Sequence, residues 1–244
     1  SIAIDSIDIP SINDPNAGVL AYQTGAVDWI ADVTASYRGE MVAQKLQYLA
    51  EHADQVEQLR AQGLDQFAID RQLPPNPRAH THAVSSFGTY FYNFNCKPFL
   101  SDGQPNPFAD ARVRRAFAMC IDKRAVANQV RRLGEPTART LIPPGSIGGY
   151  TSPKGLPNIG DAEDSAARDA IIAESRRLLD EAGFPEDFVV TLSFNKDAGH
   201  DLIAQTIAKS WQKHLGIQTR LDQKEIKIFR DDLKDKQYMT ARAG

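Results

Sequence analysis

The chain has 244 residues, of which 42% are hydrophobic and 24% charged, a composition typical of a folded globular protein and not of a disordered tail. Its formal net charge of −3 at pH 7 provides no overall basic field for nucleic acid. No apolar run approaches the roughly 20 residues that a membrane helix needs. The length allows one large domain or two small ones.

The first elements are predicted as strand, helix and strand. Isoleucines in residues 2–9 indicate a strand, Asp14-Pro15 is a typical helix start, and residues 27–30 return as a short strand. Residues 39–73 have the amphipathic pattern of helices, and residues 81–95 are rich in the aromatic and β-branched residues of strands. A chain that opens and closes on strand-like runs is expected to be a piece of a longer protein.

Residues 110–133 predict a pair of helices with one shared core. Asp110 is a candidate N-cap, and the residues after it form a single apolar stripe at helical spacing: Val113, Ala116, Phe117, Cys120 and Ile121. Asp122 is predicted to cap a second helix that Gly134 closes. Cys120 is interpreted as a small buried hydrophobe, although a disulfide with Cys96 is left open.

The last third of the chain alternates helices and strands. Helices are predicted at 164–182, before Gly216 and around 226–233, with strands at 188–194, 217–221 and 238–242. This alternation is typical of crossover connections and predicts an α/β fold with a mainly parallel sheet flanked by helices.

Several kinds of site are disfavoured. Seven cations lie between residues 112 and 132, but no aromatic residues interleave with them for stacking on bases, so no nucleic-acid partner is predicted. The nucleophile-elbow, phosphate-loop, dinucleotide and zinc-protease motifs are absent. His80 and His82 form an HxH pair without an evident third ligand. We therefore predict no catalytic residue, no metal site and no cofactor.

One loop is favoured by its position. Ligands of open α/β sheets lie beyond the carboxyl ends of the strands, and the loop from Asn195 to His200 is in such a place. His200 begins the following helix, where free backbone N–H groups favour an anion. Arg242 and Gly244 follow the last predicted strand, so both regions are expected to face one crevice. A solvent-facing histidine and a surface arginine are the alternative interpretation.

Several segments of the chain, in order, have the pattern of a known family: DPNAGVLAYQTGAVDW (14–29), YFYNFNCKPF (90–99), PFADARVRRAFAMCIDKRAVANQV (107–130), PPGSIGGY (143–150), LLDEAGF (178–184), LSFNKDAGHDLIAQTIAKSWQKHLGIQTRL (192–221) and YMTARAG (238–244). They resemble the periplasmic oligopeptide- and dipeptide-binding proteins of ABC importers. The resemblance extends over nearly the whole chain.

The resemblance implies one lobe of a type II periplasmic-binding-protein clamshell. It implies a monomeric, non-enzymatic protein in the periplasm or another extracytoplasmic space, with or without a lipid anchor, that delivers peptides or other small solutes to a membrane permease. It further implies that His200 and Arg242 bind the carboxylate end of a peptide, with Asn195 and Gly244 beside them. The expected organisation is a single lobe over 1–244 with a helical insert at about 39–73.

Two features depart from the family pattern, and one alternative function remains open. Region 39–80 is longer and more helical than expected, and Cys120 stands where a small alanine is usual. The alternative is a protein-interaction domain that docks a partner through the basic helix pair 110–133. The direction in which the cations of that pair project would discriminate the two functions.

Overall fold

The computed structural model describes residues 4–12, 14–31, 33–75, 81–82, 87–143, 146–196 and 199–243, with only the backbone described at position 35. The chain forms two compact units, residues 1–83 and 84–244. Whether both units belong to one lobe, with 39–73 as an insert, stays a prediction. In the described ranges, no helix combines the length and apolar character needed to cross a membrane.

The first unit is helical. Its helices are α1 (Pro15–Gln23), α2 (Ala35–Glu51), α3 (Ala53–Ala61) and α4 (Gln66–Gln72). Asp14 caps α1 through a 2.8 Å hydrogen bond from the Asn16 N–H, as its place before proline predicted. A small apolar core joins the later helices and consists of Tyr48, Val56, Leu59, Ile69 and Leu73.

A buried charged cluster ties α2 to α4. Lys45 Nζ lies 2.7 Å from Asp70 Oδ1, and His82 Nδ1 lies 3.0 Å from Asp70 Oδ2. The Lys45 and Asp70 side chains are only 9% and 4% exposed, so each needs the other to offset its lost hydration. The ring of Phe67 packs on His82 at 4.5 Å between centroids. We call these three charged or titratable residues, Lys45, Asp70 and His82, the Asp70 cluster.

Two strand predictions in this unit are wrong. Residues 4–9 and 27–30 adopt no strand, and Ile4, Ile7 and Ile9 are exposed. A strand requires a partner that completes its hydrogen-bond ladder, and none lies beside either segment within the described part of the chain. The alternation of apolar residues in the sequence does not show whether a strand has such a partner.

The second unit carries the predicted α/β fold. Its strands are β1 (Phe91–Phe94), β2 (Val190–Asn195), β3 (Thr219–Lys224) and β4 (Thr240–Ala243), in the sheet order β1-β4-β2-β3. β2 pairs in parallel with β3 and β4, whereas β1 is antiparallel to β4. The sheet is therefore mainly parallel, as predicted.

The helices of this unit pack against the sheet and one another. They are α5 (Ala111–Met119), α6 (Lys123–Ala125) with a π-helical turn (Val126–Arg131), α7 (Ser165–Ala182), α8 (His200–Leu215) and α9 (Ile226–Asp235). Short 3₁₀ turns cover Pro107–Ala109 and Ile159–Asp161. Asp110 and Asp122 cap α5 and α6 as predicted. The π-helical turn is closed by left-handed Arg132 (φ 57°) and not by Gly134, a correction to the expected end.

The predicted stripe on α5 is the centre of the core. Val113, Ala116, Phe117 and Cys120 are all buried and belong to one core cluster with residues of β2, α7 and α8. Trp211 packs edge-on against Phe117 at 4.9 Å and donates its indole N–H to the Phe117 carbonyl at 3.0 Å. Cys120 is a buried free thiol and Cys96 an exposed one, so the disulfide left open above is not formed.

Candidate functional site

The site lies where the parallel strands end. β2 finishes at Asn195, β4 finishes at Ala243, and α8 starts at His200, so all three meet at the carboxyl edge of the sheet. β1 runs antiparallel to β4, which brings the start of β1, preceded by Tyr90, to the same edge. Crossover geometry therefore gathers residues that are more than 100 positions apart in the sequence.

His200 is held at the first turn of α8. Gly199 precedes it with φ +87°, a left-handed conformation that side-chain-bearing residues rarely adopt, and this turn leads the chain into the helix. The His200 residue is only 7% exposed. Its Nδ1 lies 3.1 Å from the Tyr90 hydroxyl, and the two rings are 5.6 Å apart at an angle of 34°.

Arg242 reaches the same tyrosine from β4. Its guanidinium carbon lies 5.4 Å from the centre of the Tyr90 ring, within range of a cation–π interaction. Its Nη1 donates a 3.2 Å hydrogen bond to the Oδ1 of buried Asn195. The structure thus links Asn195, Arg242, Tyr90 and His200 in one chain of contacts, which we call the Tyr90 cluster.

Three of the four predicted site residues are therefore brought together: Asn195, His200 and Arg242. Gly244 lies outside the described residues. His80 of the HxH pair also lies outside them, and His82 belongs to the Asp70 cluster.

Tyr90 belongs to the segment 90–99 that resembles the family, but it was not among the predicted site residues. Burial raises the pKa of its phenol, although neighbouring Tyr92 and the charges of Arg242 and Arg131 lower it in part. Burial likewise raises the pKa of Tyr92, and neighbouring Tyr90 raises it further. Both phenols therefore keep their protons at neutral pH and can act as hydrogen-bond donors. The signal that could have indicated them is the i, i+2 spacing that puts Tyr90 and Tyr92 on one face of β1.

The cations of the basic helix pair mostly bind groups of their own unit. Arg112 pairs with Asp110 and donates to the Glu181 carbonyl, and Arg114 donates to the carbonyls of Phe108 and Ala109. Lys123 donates to the Ala138 carbonyl, and burial lowers the pKa of its ammonium. Such contacts stabilise the fold and do not favour the docking of a partner. Arg131 is close enough to Tyr90 to affect its pKa.

A concave surface lies at the other end of α8 from the Tyr90 cluster. This cleft of about 450 Å³ is lined by residues of α7 and α8: Arg168, Asp169, Ile172, Ala173, Arg176, Lys213 and His214. His200 and His214 are 14 positions apart on α8, which separates the two ends by about 21 Å at 1.5 Å per position. The cleft is therefore distinct from the Tyr90 cluster.

The structure is an α/β unit with polar groups gathered at the carboxyl edge of a mainly parallel sheet. Residues 2–244 match the family model described as "Bacterial extracellular solute-binding proteins, family 5 Middle". The chain therefore belongs to the family 5 bacterial extracellular solute-binding proteins, a family of binding proteins, as its resemblance implied.

Named relatives agree with this membership. The periplasmic oligopeptide-binding protein OppA of Salmonella typhimurium is 31% identical over 178 residues, which are 72% of this chain and 30% of that protein. The periplasmic murein peptide-binding protein MppA of Escherichia coli is 30% identical over 159 residues, which are 64% of this chain and 27% of that protein. The chain thus spans less than a third of the length of these two curated relatives.

Solved structures show the same fold. An unliganded, open form of the murein tripeptide-binding protein MppA aligns with a TM-score of 0.59 at 25% identity, covering 95% of this chain and 36% of that one. Haemophilus influenzae OppA in complex with the peptide RPPGFSPFR aligns with a TM-score of 0.60 at 19% identity, covering 96% and 38%, and supports the fold alone. The type II periplasmic-binding-protein fold expected from the sequence is confirmed.

Proposed function

We propose that the protein is the solute-binding component of an ABC importer and that it captures peptides. The observation that carries the proposal is the Tyr90 cluster, which gathers Asn195, His200 and Arg242 at one edge of the sheet in a member of this family. Names of the relatives, which include oligopeptide- and murein-peptide-binding proteins, support the solute class. The bound peptide passes to a membrane permease, without catalysis, in the periplasm or another extracytoplasmic space.

Each residue has a distinct role in the proposed site. Arg242 provides a permanent positive charge for the peptide carboxylate, and Asn195 fixes the direction of its guanidinium. His200 adds a hydrogen bond from its ring, at a helix N-terminus that also favours an anion. Gly244 remains a predicted neighbour whose backbone would border the crevice. The protein acts as a monomer and needs no nucleic acid or cofactor.

The solute is captured because it makes more contacts with the closed form of the protein than with the open form. A solute that touches this unit and the remainder of the protein only in a closed form shifts the population toward that form. The chain alone offers part of those contacts and is expected to bind peptides weakly.

Calorimetric titration of the natural full-length protein tests the proposal. We expect binding of tri- to pentapeptides, and a loss of roughly 10- to 100-fold in affinity when the peptide carboxylate is amidated, since a hydrogen-bonded charged pair contributes about 1.5–3 kcal/mol. The Arg242→Gln variant should bind both peptides with the same weak affinity. Exposed Arg230 of α9 offers a matched control, Arg230→Gln, which should retain the discrimination. Equal affinity of the natural protein for free and amidated peptides would overturn the assignment of the site.

A further inference from the structure

Tyr90 is the residue that contacts both predicted carboxylate-binding side chains. Its hydroxyl lies 3.1 Å from His200 Nδ1, and its ring lies 5.4 Å from the Arg242 guanidinium carbon. A phenylalanine would preserve the second contact and abolish the first. Removal of the hydroxyl oxygen therefore distinguishes the contact with His200 from the contact with Arg242.

Strand pairing explains this position. β1 and β4 are antiparallel with Tyr92 directly opposite Arg242. Side chains alternate along a strand, so Tyr90 lies on the same face as Tyr92 and is the diagonal neighbour of Arg242, which a long side chain can reach. Tyr90 also packs against the main core of this unit, as do Tyr92 and Phe94. Its ring is therefore anchored by packing and by its neighbour across the sheet.

The electrostatic surroundings decide which partner donates in the Tyr90–His200 hydrogen bond. The charged and titratable groups that act on the Tyr90 phenol are Tyr92 of β1, Arg242 of β4 and Arg131 at the end of the π-helical turn. Cations near a phenol oxygen stabilise negative charge on it, which strengthens the hydroxyl as a donor and weakens the oxygen as an acceptor. The phenol remains protonated because burial opposes its ionisation.

We infer that Tyr90 is a positioning residue, whose hydroxyl donates to His200 Nδ1 and thereby selects the tautomer with its proton on Nε2. In a neutral imidazole one nitrogen accepts while the other carries the proton, so the bond at Nδ1 determines the chemistry at Nε2. The consequence for binding rests on the proposed function. An imidazole in this tautomer offers an N–H to a carboxylate without having to be protonated, so the hydrogen bond is kept when the ring loses its charge.

Nitrogen-15 NMR of the histidine rings tests the inference without any ligand. The His200 signals are assigned by their loss in His200→Gln. In the natural chain at a pH where the ring is neutral, we expect Nδ1 to have the shift of an acceptor and Nε2 that of a protonated nitrogen. Tyr90→Phe should produce a mixture of tautomers. The matched control is Tyr238→Phe, the same chemical change just before β4, at the end of that strand away from Arg242.

A second measurement links the tautomer to binding. In the full-length protein, Tyr90→Phe should lower affinity for free-carboxylate peptides by roughly 2- to 10-fold near pH 8, the size of one neutral hydrogen bond. The loss should diminish as acid protonates His200, so that affinity depends more steeply on pH in Tyr90→Phe than in the natural protein. Tyr90→Leu also removes the aromatic ring that Arg242 contacts, so this variant should lose more peptide affinity than Tyr90→Phe at every pH.

The possible results separate the two proposals. A natural chain with Nδ1 protonated, or a Tyr90→Phe chain with an unchanged tautomer and unperturbed neighbouring resonances, overturns the role of Tyr90 whatever the protein binds. The expected tautomers in a protein that binds no peptide would support the role of Tyr90 and contradict the proposed function alone.

Discussion

The Asp70 cluster of the first unit and the Tyr90 cluster of the second each combine a histidine with a cationic side chain, but their partners differ. In the first, one carboxylate lies between Lys45 and His82, at 2.7 and 3.0 Å. In the second, the partners described for His200 and Arg242 are a phenol and an amide, and neither carries a charge. The shared carboxylate of the first cluster ties α2 to α4, whereas the phenol and the amide of the second orient His200 and Arg242 at the carboxyl edge of the sheet.

The largest effect that tests this contrast is expected from Asp70→Asn. The substitution removes the charge that offsets buried Lys45 and should lower the free energy of unfolding of the first unit by about 3–5 kcal/mol, as for other buried ion pairs broken on one side. Hydrogen exchange of the α2 and α4 amides would measure the change in the first unit separately from the second. Asp54→Asn, at an exposed position of α3, is the control. A change as small as that of the control would show that the Asp70 cluster is not structural.

A smaller effect on stability is expected from Arg242→Gln. The substitution removes the hydrogen bond to Asn195 and the cation–π contact with Tyr90, so the free energy of unfolding should fall by about 1–2 kcal/mol, less than for Asp70→Asn. Denaturant unfolding followed in the second unit would measure it. A loss comparable to that of Asp70→Asn would mean that Arg242 is mainly a structural residue, and the contrast between the clusters would fail.

The smallest effect concerns His214, at the other end of α8 from the Tyr90 cluster. Burial, followed by the charges of Lys213 and Arg168, lowers its pKa below the ordinary value of 6.5, with Arg176 acting in the same sense and Asp122 opposing. The unfolded chain then binds the proton more readily, so the stabilisation is complete above pH 6.5 and is lost as the pH falls through the lower, folded-state pKa. Stability measured from pH 7.5 to 5 should decline less steeply in His214→Gln than in the natural chain. Identical slopes would contradict the prediction.

Much of the second unit could be predicted from local chemistry. Asp110 and Asp122 cap helices through hydrogen bonds that the sequence indicates, and Gly183 and Gly216 end α7 and α8 in left-handed conformations. Neighbouring residues suffice for such features, because a cap involves groups only two or three positions apart. The place of His200 followed from a general rule about α/β sheets.

Local sequence patterns do not indicate which distant residues pair with one another. Tyr90 acquires its role because β1 is antiparallel to β4, a partnership between segments about 150 positions apart that no local pattern indicates. The same limitation explains why residues 4–9 and 27–30 form no strand, since a strand depends on its partner more than on its own residues. The Asp70 cluster also escaped prediction, because it joins three separate segments of the first unit.

The two tryptophans of the chain are divided between the units, and their surroundings are opposite. Trp29, in the first unit, is 75% exposed, whereas Trp211, in the second, is completely buried with its indole N–H bonded to the Phe117 carbonyl. A water-exposed indole emits at longer wavelength than one in an apolar core and is more readily quenched by dissolved iodide. Each unit therefore contains one natural fluorescent reporter. Emission at the long-wavelength side of the spectrum reports on Trp29 and the first unit, and emission at the short-wavelength side reports on Trp211 and the second unit, without any added label.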